Sequence, residues 1–310
     1  MILCAGESLI DMIPTQTGFR PLAGGAVYNT AIALGRMGVD CSYLWPLSRD
    51  PFAQMLRAPL HKANVDTSLC PETDRPTTLA FVTLQNGEAR YSFYDEGSAG
   101  RMFTCADLPE LPLQTKALFI GGISLVPDPC GATIETLVER ARARDIPVMI
   151  DPNIRPFFIT EIPSYRARLA RLLAQADLVK LSGDDIDWLW PDQDINGIIA
   201  DLLAQGPKVV FRTLGSKGAE AHSRAGVMSR PAAKVAIADT IGAGDTFNAA
   251  VLAALARANG LARADADQQV LSDALELGIR AAGITVSRAG ANPPWADELA
   301  APKGIAGVSS

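Results

Sequence analysis

The sequence predicts an α/β protein with a mainly parallel central sheet and a second, smaller β-layer. After Lys116, short apolar strands alternate with helices, in the order strand 117–120, helix near 132–144, strand 148–150, helix near 164–174 and strand 178–181. Such alternation is typical of a parallel sheet covered by helices. Earlier in the chain, two alternating runs at 77–84 and 89–94 flank Gln85-Asn86-Gly87-Glu88 and predict a β-hairpin. A hairpin does not belong to a doubly wound sheet, so we expect it to form the small layer with the extended segment near residues 10–22.

Composition and charge exclude several classes of protein. The chain has 310 residues, 48% hydrophobic and 20% charged, enough to bury a sizeable core in one large or two modest domains. A net charge of −6 and a pI near 5.1, with no basic run, argue against nucleic-acid binding. The first residues include no basic n-region, and no apolar run approaches ~18 residues, so we expect a cytoplasmic protein without a membrane segment.

Cysteine and histidine usage narrows the chemistry further. The five cysteines are scattered and include no CxxC pair, so neither a disulfide framework nor a zinc site is indicated. The chain has two histidines, His61 and His222, and neither lies in a recognisable constellation. Histidine triads and metallohydrolase sites are therefore poorly supported.

The N-terminal stretch predicts a buried strand followed by a ligand-binding turn. Residues 1–6 are typical of a short buried strand, and an extended segment over 7–14 carries Asp11. Gly24 and Gly25 then precede a helix that contains Asn29, and Gly38 is placed to cap its C-terminus. A glycine pair lets a polar ligand approach the backbone closely. The alternative is that the pair forms an ordinary turn and that Asn29 is an exposed polar residue.

The segment 239–247, Asp-Thr-Ile-Gly-Ala-Gly-Asp-Thr-Phe, precedes a small apolar run and carries the strongest chemical signal. Gly242, Ala243 and Gly244 leave the backbone N–H groups of a helix start open to an anion. A carboxylate at Asp245 would repel a bound phosphate, but it can take the proton of a hydroxyl that attacks a phosphoryl group. The pattern therefore predicts phosphoryl transfer to an alcohol. The alternative is a glycine-rich turn in which Asp245 is a solvated acid favoured by the helix dipole.

Polar residues follow the strands of the predicted parallel sheet, where such sheets hold their ligands. Arg155 comes after strand 148–150, and a guanidinium there suits a forked grip on a phosphoryl group. A surface ion pair is the alternative for Arg155. Lys180 and Asp185 follow at the end of the next strand. Residues 209–218 predict a strand that ends in a flexible loop, for which an ordinary β-turn remains open.

Two of these segments resemble the signatures of one family. The glycine pair, Asn29, the small residue two positions beyond it and Gly38 resemble the first signature of the ribokinase-like carbohydrate kinases, the phosphofructokinase B group. Residues 239–252 are compatible with the second signature of that family at every position. The resemblance extends over almost the whole chain, and residues 87–99 are similar to bacterial fructokinases within the family.

The resemblance implies a ribokinase-like three-layer α/β/α sandwich, formed as a single domain over residues 1–310 with lid segments at approximately 10–22 and 77–105. It implies an ATP-dependent sugar kinase, most like a fructokinase, that uses ATP and Mg²⁺; K⁺ is a candidate monovalent cation and a homodimer a candidate assembly. The implied catalytic residues are Asp245, Gly242, Ala243, Gly244 and Arg155. The implied acceptor-binding residues are Asp11, Gly24, Gly25, Asn29, Arg90 and Asn153. The implied nucleotide-binding residues are Lys180, Thr213, Gly215, Gly218 and Asn292, and Asp185 is the implied metal contact, direct or through water.

Departures from the family pattern and alternative functions remain open. Ser48 and Ala53 replace usual glycines, which bears on the local loop geometry, and Ser182 and Asp185 stand where Asn and Glu are frequent, which bears on the magnesium contact. Alternative acceptors are 2-keto-3-deoxygluconate, ribose or a nucleoside. A nicotinamide-dependent dehydrogenase would need Gly-x-Gly-x-x-Gly after the first strand, and residues 4–9 do not supply it. A sugar-binding regulator without catalysis is expected to lack Asp245 or its glycines, and both are present.

Overall fold

The described elements follow the predicted alternation. The computed structural model describes residues 1–85, 88–261 and 267–300, with the side chains of residues 84, 85 and 88–90 left out of the description. The strands are β1 (Ile2–Ala5), β2 (Leu9–Thr15), β3 (Gly18–Gly24), β4 (Cys41–Leu44), β5 (Leu47–Ser48), β6 (Glu72–Thr73), β7 (Leu79–Gln85), β8 (Glu88–Tyr94), β9 (Ala117–Gly121), β10 (Val148–Asp151), β11 (Leu178–Ser182), β12 (Val209–Thr213), β13 (Ala219–Ser223) and β14 (Gly226–Arg230). The helices are α1 (Ala26–Arg36), α2 (Pro51–Lys62), α3 (Cys130–Arg142), α4 (Ile162–Gln175), α5 (Gly183–Leu189), α6 (Ile195–Gln205), α7 (Ala243–Arg257), α8 (Gln268–Val286) and α9 (Ala296–Ala300).

The main sheet has eight strands in the order β14-β13-β12-β11-β10-β9-β1-β4. From β4 to β12 all neighbouring strands are parallel, and β13 and β14 add an antiparallel edge. The parallel strands are mainly apolar, and β1 and β9 are buried at every residue, because helices cover both sides of such a sheet. The predicted mainly parallel α/β sheet is thus confirmed.

Helices cover the main sheet in two layers. On one side, α1 packs on β1, β4 and β9, α8 packs on β13 and β14, and α7 lies between α1 and α8. On the other side, α3, α4 and α6 pack on β9, β10 and β12. Helix α7 is rich in small residues, and the ring of Phe247 lies so close to Gly278 that a Cβ there would come within 2.7 Å of it. The three-layer α/β/α sandwich expected from the resemblance is therefore present.

A separate four-stranded sheet has the order β3-β2-β7-β8. Its two hairpins, β2/β3 and β7/β8, are antiparallel, and β2 pairs with β7 in parallel. This arrangement confirms the predicted small β-layer of the hairpin and the extended segment near residues 10–22. Within the described ranges, no helix is long and apolar enough to cross a membrane.

Candidate active site

The two signature segments meet where α1 packs against the start of α7. The amide Nδ2 of Asn29, in the first turn of α1, donates to Oδ2 of Asp245 at 2.9 Å, although 216 residues separate the two. One residue along α1, the Thr30 hydroxyl donates to the backbone oxygen of Asp245 at 3.3 Å. Helix packing therefore joins a residue predicted to bind the acceptor to the predicted base.

The start of α7 presents open backbone donors. Gly242 precedes the helix in the left-handed conformation, with φ +76°, and a Cβ there would lie 2.7 Å from the Cβ of Ala291. The N–H groups of Gly244 and Asp245 have no acceptor within the described parts of the chain, as expected for a first helical turn. The carboxylate of Asp239 accepts from the N–H groups of Ile241 and Gly290, at 3.0 and 2.9 Å, and so fastens this loop to the one after α8. The geometry suits an anion cradle.

Asp245 is a buried carboxylate whose pKa lies close to neutral pH. The residue is only 7% exposed, and this burial raises the pKa of its carboxyl group from 3.8 to about 7. The hydrogen bond from Asn29 lowers the pKa, the charge of Asp151 raises it, and the cations Lys180 and Arg155 lower it. A group whose pKa lies near neutral pH is suited to accept a proton and to release it again. The solvated acid considered as the alternative does not fit this burial.

A buried salt bridge lies beneath the cradle. The Lys180 ammonium is 3.1 Å from one carboxylate oxygen of Asp151, and Asn248 of α7 donates to the same carboxylate at 2.7 Å. Burial alone would lower the pKa of Lys180, but the carboxylates of Asp151 and Asp185 raise it above its usual value. A Cβ on Gly244 would come within 3.3 Å of the Lys180 nitrogen. At 4% exposure, Lys180 sits below the backbone donors rather than on an open nucleotide surface.

The start of α1 is anchored by a residue that sequence analysis missed. Both carboxylate oxygens of Glu7 accept backbone N–H groups, from Ala26 at 2.9 Å and from Ser124 at 3.2 Å. Burial raises the pKa of Glu7 to about 7. Gly25 has φ +124°, and a Cβ there would lie 2.4 Å from the backbone oxygen of Glu7. The available signal was an acid directly after the first buried strand.

Asp11 lies on the face of the small sheet that looks towards the main sheet. We call this the inner face and define it by Asp11, Leu22, Arg20, Tyr91 and Phe93, which strand register places on one side. Burial raises the pKa of Asp11 to about 6, and its carboxylate accepts no hydrogen bond within the described residues. A Cβ on Gly24 would come within 2.5 Å of Oδ2 of Asp11, so this glycine makes room for the carboxylate.

Two arginines of the small sheet differ in how they are placed. Arg90 pairs with Thr83 in the register of β7 and β8, and its side chain lies outside the described residues. Arg20 pairs with Ile13, is exposed, and makes no ion pair with any described residue. Because side chains alternate along a strand, Arg20 shares the inner face with Asp11. Arg20 lies in the extended segment that the sequence predicts near residues 10–22, but the face on which it lies follows only from the strand register.

Arg155 and Asn153 follow β10 as predicted. The exposed Arg155 folds back on its own loop, where its guanidinium donates to the backbone oxygens of Asn153 at 3.3 Å and Ile154 at 3.1 Å. Asn153 has φ +43°, and its N–H donates to Asp151 at 3.1 Å. Among the described residues Arg155 forms no ion pair, so the surface ion pair considered as the alternative is not seen there.

Apart from Lys180, the residues predicted to bind the nucleotide lie at the end of β12 and on the two loops that follow β12 and α8. The hydroxyl of Thr213, at the end of β12, is 3.5 Å from the backbone oxygen of Leu181. Gly215 and Gly218 have φ +57° and +108°, and a Cβ on Gly218 would lie 2.0 Å from the backbone oxygen of Arg230. On the other loop, Oδ1 of Asn292 accepts from Arg36 of α1 at 2.6 Å. The contact between Gly242 and Ala291 brings this second loop to the cradle.

Asp185, the predicted metal contact, forms a capping box with Ser182 at the start of α5. Its carboxylate accepts the N–H and hydroxyl of Ser182, at 2.8 and 2.6 Å, and the N–H of Ile154 at 2.7 Å. Three donors on a residue 2% exposed disfavour a direct metal bond. No cluster of three or more metal-ligating side chains occurs within the described ranges.

The departures near residue 50 are accommodated locally. The hydroxyl of Ser48 accepts the N–H of Asp50 at 2.9 Å, and Asp50 caps α2 by accepting the N–H of Ala53 at 3.0 Å. Neither replacement of a glycine therefore disrupts the start of this helix.

The fold and site define a carbohydrate kinase, and comparison with known proteins gives its family. Residues 1–298 match the sequence model described as "pfkB family carbohydrate kinase", and the chain belongs to this family. A fructokinase of Rhizobium leguminosarum bv. trifolii is 46% identical over 87% of this chain and 85% of its own length. A fructokinase of Xylella fastidiosa with bound ATP has a TM-score of 0.89, with 28% identity and 96% of each chain covered. A Vibrio cholerae fructokinase in a form with fructose, ADP and calcium has a TM-score of 0.80, with 25% identity and 94% of each chain covered.

Proposed function

We propose that this protein transfers the γ-phosphoryl group of ATP to a hydroxyl of fructose, with Asp245 as the general base. The observation that carries the proposal is the 2.9 Å hydrogen bond from Asn29 to Asp245. This contact joins the Asn29 amide, which we assign to acceptor binding, to a carboxylate with a pKa of about 7 at an open helix start, and so supports the proposal. These are the groups needed to deprotonate an alcohol beside a bound phosphate.

The reaction balances as a single displacement. One hydroxyl of the sugar gives its proton to Asp245 while its oxygen forms a bond to the γ-phosphorus. The bond from the γ-phosphorus to the bridging oxygen breaks, and ADP leaves with that oxygen. The N–H groups of Gly244 and Asp245 stabilise the negative charge on the transferring group, and the buried Lys180 contributes a positive charge from below. Arg155 would leave its loop carbonyls to contact the same group.

Acceptor binding is assigned to the inner face and the start of α1. No described residue donates a hydrogen bond to the Asp11 carboxylate, which would accept from sugar hydroxyls instead. Asn29 and the Gly25 backbone would complete the contacts to the sugar. Gly24 leaves room for the Asp11 carboxylate. Arg90 and Asn153 remain predicted acceptor contacts. Arg20 is added because it is an exposed cation on the face that carries Asp11.

Nucleotide and metal are assigned to the opposite side of the cradle. Thr213, Gly215, Gly218 and Asn292 lie on loops that can flank a nucleotide. The Xylella relative carries ATP and the Vibrio relative carries ADP and a divalent ion, which supports ATP and a divalent cation as cofactors here. Because the described residues offer no protein cage, Mg²⁺ would arrive on the phosphates with its own waters and neutralise their charge. Asp185 could then contact it only through water. A K⁺ requirement stays a prediction, tested by replacing KCl with NaCl.

The small sheet is proposed to act as a lid on a single domain that extends over residues 1–310. A kinase whose site is open to water risks hydrolysing ATP, so acceptor binding should close the sheet over the site before transfer. Segments 10–22 and 77–105 would move. ADP release with ATP and Mg²⁺ alone should be far slower than with sugar present.

A homodimer remains a candidate assembly, to be measured by light scattering.

The acceptor is tested by a panel of substrates. Fructose is the expected acceptor because a relative with 46% identity is a fructokinase. Purified protein would be assayed for ADP release with fructose, ribose, 2-keto-3-deoxygluconate and adenosine, and the phosphorylated product identified by mass spectrometry. The Asp245→Asn variant, prepared in parallel, controls for contaminating kinases. Turnover of another acceptor in preference to fructose would overturn the acceptor assignment alone, whereas no ADP release with any of them would contradict the proposed phosphoryl transfer.

A further inference from the structure

Four aromatic rings connect the small sheet to the segment that follows Arg155. Tyr91 stacks on Phe157 with ring centroids 5.3 Å apart and an angle of 5° between the planes. Phe93 stacks on Phe157 at 5.8 Å and meets Phe158 edge-on at 4.9 Å. We call these four residues the aromatic bridge. Tyr91 and Phe93 belong to the inner face of the small sheet, whereas Phe157 and Phe158 lie in the turn after β10 of the main sheet.

The aromatic bridge is anchored at one end and exposed at the other. Phe93 and Phe158 pack against a small buried cluster of Leu9, Ala80 and Ile123. Phe157 and Tyr91 remain 56% and 42% exposed. These two rings are about half exposed and lie almost parallel. Their contact fixes one segment against the other, because stacking prefers a defined ring geometry.

The segment that carries Phe157 also fixes the backbone of Arg155. Pro156 restricts its own backbone, and the N–H of Phe158 donates to the backbone oxygen of Arg155 at 2.9 Å. The turn closes again when the N–H of Ile159 donates to Pro156 at 3.2 Å. Arg155 thus begins a short rigid turn, and any displacement of Phe157 moves the residue that bears the guanidinium.

We propose that Phe157 is a positioning residue for Arg155, and that through the aromatic bridge the position of the small sheet decides where this guanidinium lies. The inference rests on the proposed function, in which Arg155 contacts the transferring phosphoryl group. Closure of the small sheet then carries Tyr91 and Phe93 inward, and Phe157 follows because it is stacked on both. The bridge thereby links occupancy of the acceptor site to the placement of a cation at the phosphoryl group.

The test begins with Phe157→Ala. Loss of the stacked pair should lower kcat by about 3- to 10-fold, the range that aromatic pairing supplies, while KM for ATP changes less than about 2-fold. Phe157→Tyr keeps the ring and should retain kcat, whereas Phe157→Leu keeps apolar bulk without a ring face and should behave like alanine. Phe19→Ala is the matched control, because Phe19 is 45% exposed on the other face of the same sheet and pairs with Phe81.

A second background shows whether Phe157 acts through Arg155. If it does, Phe157→Ala should change kcat by less than about 2-fold once Arg155→Ala is already present. A wild-type kcat in Phe157→Ala overturns the inference. A decrease in kcat that is as large in the Arg155→Ala background as in the wild-type background also overturns it. Either result leaves the proposed kinase function intact, because both are read on the residual sugar phosphorylation. Thermal unfolding of each variant identifies a loss of kcat that comes from instability.

Discussion

Replacing Asp245 by Asn should inactivate the enzyme and stabilise its fold at alkaline pH. The amide has nearly the shape of the carboxylate and keeps an oxygen to accept from Asn29, but it can neither take a proton nor carry a charge. We expect kcat to fall by on the order of 10²–10⁴, the usual contribution of a positioned base. Nucleotide binding should change little.

The stabilisation follows from the raised pKa. A rise from 3.8 to about 7 on folding corresponds to about 4 kcal/mol of unfavourable free energy when the group is ionised in both states. Between about pH 4 and pH 7 the folded protein holds a proton that the unfolded chain has lost, so the wild type gains stability as pH falls. The amide has no such cost. Because the pKa of about 7 already includes the attraction of Lys180, we expect a gain of roughly 4 kcal/mol at pH 8 that falls by more than half at pH 5.

Denaturant unfolding of both proteins at pH 5 and pH 8, with kcat measured on the same preparations, tests both parts. Asp187→Asn, on the exposed side of α5, controls for removing one negative charge. Equal free energies of unfolding for wild type and Asp245→Asn at pH 8 would refute the inference that burial raises the pKa of this carboxylate to about 7. A gain in stability that does not depend on pH would refute it as well. Near-normal turnover by the folded variant would remove Asp245 from the role of base.

Three further results are expected. Asp11→Ala should weaken acceptor binding by roughly 1–3 kcal/mol, because a sugar hydroxyl loses its acceptor, with KM for ATP unchanged; equal weakening of sugar and ATP would count against this assignment. Gly25→Ala should cost about 1–3 kcal/mol of stability and most activity, since its backbone has φ +124° and a Cβ would lie 2.4 Å from the oxygen of Glu7; wild-type unfolding would show that the loop adapts. The wild-type kcat/KM for fructose should rise with pH through about 7, as Asp245 ionises; a flat profile from pH 6 to 8 would contradict the base assignment.

The sequence by itself determined the elements and the local chemistry. Alternating apolar strands and helices after Lys116, and the hairpin around residues 85–88, predicted both sheets, because periodicity reflects which side of each element is buried. The glycines before Asp245 likewise predicted a helix start with open donors. These signals lie within a few consecutive residues and need no knowledge of distant partners. Ser182 and Asp185 also form a capping box, and their Ser-x-x-Asp spacing is a local signal of a helix start rather than of a metal site.

Only the tertiary structure decided the ionisation and the partners of the charged groups. Nothing near Glu7 in sequence shows that it accepts N–H groups from Ala26 and Ser124, and nothing near Lys180 shows that it is buried under the start of α7. The contact between Asn29 and Asp245 likewise requires α1 to pack on α7. The cost of burying a charge depends on which dipoles and ions surround it, and in this fold those neighbours come from segments far apart in the chain.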